Sequence, residues 1–62
     1  MKIYIVHKLG DEYKKSFIQI KTSSKIKCNL IKNRLLKQGF IVQVTCYRYP
    51  NILQYEAYYY PN

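Results

Sequence analysis

One stretch of the chain, Lys25–Gln38, is bracketed by helix punctuation at both ends, while every other apolar run alternates. Thr22, Ser23 and Ser24 offer hydroxyls that can cap the free N–H groups of a first turn. Gly39 supplies the left-handed conformation that commonly closes a last turn. Two alternating runs precede this stretch and two follow it, which leaves room for one helix among strands. The fold expected is α+β, in the order ββαββ: two hairpins make a small antiparallel sheet of three or four strands, with the helix packed on one face. With 62 residues, residues 1–62 form a single small basic domain with one core. A domain of this size buries only about 60% of its unfolded surface and is marginal alone. Because 48% of the residues are hydrophobic and eight are tyrosine, there is enough apolar surface to offset the entropy of ordering.

The first run, Lys2–Leu9, sets Ile3, Ile5, His7 and Leu9 against Tyr4, Val6 and Lys8. Gly10-Asp11, with Glu12 and Tyr13, reads as a turn into a second strand, Lys15–Thr22. Phe40–Tyr49 is the clearest strand, and Pro50-Asn51 fits the centre of a β-turn because Asn tolerates positive φ. Ile52–Tyr60 reads as a fourth strand, ended by Pro61, which cannot donate to a ladder. Parity is expected to turn Ile18, Ile20, Val42, Val44 and Cys46 toward the helix. Phe17, Gln19, Lys21, Gln43, Tyr47 and Tyr49 then lie on the open face. The first strand reads both ways; with Ile3 and Ile5 inward, Tyr4 and Lys8 join the open face.

In the helix, Cys28, Ile31 and Leu35 fall at spacings that should meet the sheet, while Ile26 and Leu30 form a second apolar pair on nearly the opposite side. Leu36 lies on a third side. Lys27 with Arg34, and Lys25 with Lys32, run between these faces as basic stripes. Lys37 suits the negative end of the helix dipole, whereas Lys25 and Lys27 oppose the positive end.

The net charge is +8, and its placement is uneven: Asp11, Glu12 and Glu56 are the only acids, and nine Lys and Arg residues lie between Tyr13 and Tyr55 with no carboxylate among them. Such a field favours nucleic acid, an acidic protein surface or an anionic membrane, although basic charge also serves solubility. The helix lacks the single broad apolar face that a membrane surface requires, so no membrane role is expected. Tyrosines interleaved with Lys and Gln on an open sheet suit single-stranded nucleic acid, whose bases stack on rings while ammonium groups neutralise phosphates. Cross-strand tyrosines also stabilise small sheets without any ligand. In its logic such a sheet is similar to the platform of RNA-recognition domains, whose strand order and glycine–aromatic signature the chain lacks.

The residues assigned to nucleic acid are Lys21, Lys25, Lys27, Lys32, Arg34, Lys37 and Arg48 for phosphates and Phe17, Tyr47 and Tyr49 for bases. Ile26 and Leu30 are assigned to a protein interface, a homodimer being one form of it. No catalytic group is expected: His7 is the only histidine, Cys28 and Cys46 are too few for a zinc set, and Gly10 and Gly39 are isolated. The two cysteines do not make a disulfide framework, and Ile3–Val6 is too short for a signal peptide, so a reducing cytosol is expected. Ile, Lys, Asn and Tyr supply nearly half the chain, and in this composition the chain resembles the small accessory proteins of AT-rich phages, archaeal viruses and plasmids. The expected function is therefore a small non-enzymatic accessory factor, without cofactor, that contacts nucleic acid or a nucleoprotein, in the host cytosol if viral. The alternative is a protein-directed inhibitor or adaptor; a small ribonuclease toxin is more remote.

Overall fold

The computed structural model describes residues 1–10 and 16–61. The element order is β1 (Lys2–Leu9), β2 (Ser16–Thr22), α1 (Lys25–Lys37), β3 (Val42–Arg48) and β4 (Ile52–Tyr59). All neighbouring strands are antiparallel, and they lie in one open sheet in the order β2-β1-β3-β4. This is the ββαββ arrangement, with the two hairpins joined along β1 and β3. The turn at Asp11–Tyr13 and the start of the second strand at Lys15 lie outside the described residues.

Local chemistry fixes the helix at both ends. The Ser24 hydroxyl accepts from Lys27 N–H at 3.2 Å, and the Ser24 N–H donates to Thr22 Oγ1 at 3.0 Å. At the far end Gly39 adopts φ +93°. Its N–H donates to the Leu36 carbonyl at 3.0 Å, and Phe40 N–H donates to the Leu35 carbonyl at 3.1 Å. These two bonds make a Schellman closure, and Phe40 packs against the same core as Leu35, the apolar contact that accompanies it. The β3–β4 turn places Asn51 at φ 69°, the conformation that asparagine tolerates.

The core lies between the helix and one face of the sheet. Tyr4, Val6, Val42, Val44 and Cys46 meet Cys28 and Leu35 there, with Ile20, Ile31, Leu36, Phe40 and Tyr59 around the edge. The parity of β1, which the sequence leaves open, is thereby settled: Tyr4 and Val6 face the helix, while Ile3 and Ile5 lie on the open face. The centre of the core is lined by Val6, Val44, Cys46 and Cys28, with the larger Tyr4 and Leu35 packed beside them.

A correction concerns β2. The register runs Tyr4↔Thr22, Ile5↔Lys21, Val6↔Ile20 and then shifts, so that His7 pairs with Ile18 and Lys8 with Phe17. Gln19 is the extra residue of this bulge, and it flips the parity of everything before it. Ile18, expected to face the helix, lies on the open face beside His7 and is 64% exposed. Phe17, expected on the open face, is turned to the helix side, where its partner Lys8 sits 4.6 Å over the Phe40 ring. Strand β3 starts at Val42 rather than Phe40, because Phe40 is spent on the helix closure. Tyr49 lies beyond β3 in the turn, its N–H donating to the Met1 carbonyl at 2.8 Å. No helix among the described residues is long and apolar enough to cross a membrane.

Candidate functional site

Two surfaces lie on opposite sides of the molecule, and the sequence-assigned residues divide between them. The first is the outer side of α1. With Cys28 and Leu35 buried, helical spacing turns Ile26, Leu30, Asn33 and Lys37 outward as a crest. Ile26 is 74% exposed and Leu30 61% exposed. Lys27 and Arg34, two turns apart, line one flank, and both are exposed. Lys25 lies on the other flank with Lys32, whose ammonium sits 4.4 Å over the Tyr59 ring. This contact ties the helix to β4 and fixes a charge whose neighbours are aromatic rather than acidic. Thirteen helical residues thus carry five cations and no acid.

The second surface is the open side of the sheet. Directly opposed residues in a ladder share a face, so the registers define three rows across it. One runs Lys21–Ile5–Thr45–Glu56, the next Ile18–His7–Gln43–Tyr58, and the third Ile3–Tyr47–Leu53. Thr45 is buried, and its hydroxyl lies 3.5 Å from the Ile5 carbonyl. His7 Nδ1 is buried with no hydrogen-bond partner among the described residues. Ile3, Ile5, Lys21, Tyr47 and Asn51 line a shallow depression of about 300 Å³. Lys21, Gln43 and Tyr47 are where parity put them; Lys21 and Tyr47 have aliphatic ladder neighbours, and Gln43 lies between His7 and Tyr58.

The ten residues assigned to nucleic acid therefore do not form one surface. Lys25, Lys27, Arg34 and Lys37 gather on the outside of α1, with Lys32 beside them. Lys21 and Tyr47 share the open sheet face. Arg48, paired with Lys2 and Ile52, and Tyr49 lie at the β3–β4 end, and Phe17 is on the helix side of an edge strand. The aliphatic character of the open face escaped the sequence reading because the β2 bulge and the parity of β1 carry it. The one signal available was Ile3 and Ile5 competing with Tyr4 and Val6 for a core that could hold only one pair.

Cys28 and Cys46 are buried free thiols in the helix–sheet seam. Burial pushes the Cys28 thiol above its ordinary value, against the pull of Lys32 and Lys25 and with a push from Cys46. A thiol held protonated is a poor nucleophile and a good core residue. Among the described residues no three His, Cys, Asp or Glu side chains come together to hold a metal. No family model, no curated protein and no solved structure matches the chain.

Proposed function

We propose that this protein binds nucleic acid, or a nucleoprotein, through the outer face of α1. The observation that carries the reading is the helix itself: five cations, no acid, and exposed Lys25, Lys27, Arg34 and Lys37 on both flanks of a protruding crest. Cations on two flanks suit the two phosphate walls of a duplex groove, and a groove about 12 Å wide admits a helix. The aliphatic rows of the open sheet suit base stacking less well. Two buried free thiols support action in a reducing cytosol, that of the host if the chain is virus-encoded.

The test is fluorescence anisotropy with labelled single- and double-stranded DNA and RNA over a salt series. The double variant Lys27→Glu/Arg34→Glu is expected to lose at least tenfold in affinity, and to flatten the slope of log affinity on log salt by about 2. Lys21→Glu and Tyr47→Ala, on the open face, should bind nearly as the parent does. The opposite pattern would move the site to the sheet, and salt-independent binding would remove the reading altogether. A second reading, an acidic protein partner, is favoured by the exposure of Ile26 and Leu30 amid the cations. Ile26→Ser/Leu30→Ser should leave nucleic-acid affinity within about threefold and abolish capture of such a partner.

A further inference from the structure

We infer that the open sheet face is a self-association surface, on which a second copy of the chain packs face to face about a two-fold axis parallel to the strands. The argument rests on the row Lys21–Ile5–Thr45–Glu56, which spans all four strands in the order β2-β1-β3-β4. Lys21 stands at one edge of that row and Glu56, the only carboxylate side chain among the described residues, at the other. A two-fold running along the strands between β1 and β3 carries each strand over its mirror position: β2 over β4 of the second copy, and β1 over β3. Lys21 of each copy is then set over Glu56 of the other, so that two reciprocal ion pairs form, one at each edge. Facing sheets lie about 10 Å apart, a gap that a lysine and a glutamate reaching toward each other can bridge.

The same operation matches the remaining rows. Ile18 comes over Tyr58 and Ile3 over Tyr47, which buries aliphatic side chains against rings, while Ile5 lies over the already buried Thr45. His7 comes over Gln43, so the centre of that row sets an imidazole against a carboxamide. Aliphatic residues at Ile18 and Ile3 thus meet tyrosines, His7 meets Gln43, and a cation meets an anion, without any shift along the strands chosen to fit. Four strands at about 4.8 Å and seven residues at about 3.3 Å give a face of roughly 19 by 23 Å in projection. Counted on both copies that is about 900 Å², below the size of stable interfaces and in the range of weak, transient ones, so dissociation in the micromolar range or weaker is expected. The face also has a reason to be covered, since among the described residues only Val6, Val42 and Cys46 are fully buried in the single copy. The pairing leaves α1 outside, so it stands or falls independently of nucleic-acid binding.

Sedimentation equilibrium of the full chain over a concentration series tests this, with circular dichroism as the control for folding. The parent should dimerise; Lys21→Glu and Glu56→Lys should each weaken it about tenfold, since each converts two attractive contacts into two repulsive ones. The double exchange Lys21→Glu/Glu56→Lys keeps the net charge and restores both pairs with reversed polarity, so it should return to within about threefold of the parent. Ile18→Glu, at an already exposed position, should also abolish the dimer. A parent monomeric up to about 1 mM overturns the inference. So does a double exchange that fails to recover while remaining folded, or a dimer lost on Ile26→Ser/Leu30→Ser but kept in Ile18→Glu.

Discussion

Lys27 occupies the third position of α1, where free N–H groups and the positive end of the dipole favour an acid. A Glu there would ordinarily complete a capping box with Ser24. The Ser24 N–H is already held by the Thr22 hydroxyl at 3.0 Å, so the second bond of that box has no free donor. The gain on Lys27→Glu should therefore come from charge alone, about 0.3–1 kcal/mol, read as a rise in the urea midpoint with an unchanged slope. The same substitution should weaken nucleic-acid binding. A variant more stable and less active would identify Lys27 as a cation retained for its partner at the expense of its own helix; one that gains neither would place the helix charges outside both roles.

At the scale of elements, the strands and the helix were legible because their signals are local: hydroxyls before Lys25, Gly39 after Gln38, proline and asparagine between β3 and β4. The sides of the strands were less so. Parity follows from the sequence only while a ladder is regular, and the extra residue at Gln19 inverts it for Phe17 and Ile18. A second bulge, between Cys46 and Tyr47, likewise resets β4 so that Leu53 rather than Gln54 shares the open face with Tyr47. The helix cations were legible as stripes, whereas the contact of Lys32 with Tyr59 joins residues 27 positions apart and has no local signature. The β2 inversion predicts unequal costs for two similar residues. Ile20→Ala, which opens the core edge, should cost about 1–3 kcal/mol, and Ile18→Ala less than about 0.5, measured at dilutions where the chain is monomeric. Equal costs would mean a regular β2.

At the scale of the whole molecule, stability should depend on alkaline pH. The unfolded chain releases the Cys28 proton near the ordinary value of 9.0, while the buried thiol keeps it to higher pH. The folded state then binds more protons than the unfolded one, so stability is full below about pH 8 and falls as pH rises past 9. Tyr55, raised above its ordinary 10.0 chiefly by burial, extends the fall upward. Urea midpoints between pH 7 and 10 should show this decline, and Cys28→Ala should flatten its first part; a flat parent curve would mean that the seam is wet. The two-layer build has a consequence of another kind. Because α1 covers one side of the sheet and leaves the other bare, a pair joined at the bare sides would present its helices back to back, with axes about 30 Å apart and their outer faces turned away from each other. No single groove can take both. If α1 binds strands as proposed, such a pair would be a divalent linker, able to gather separate strands into a network, and would do so best at intermediate protein concentration, before every strand carries its own saturating share of protein.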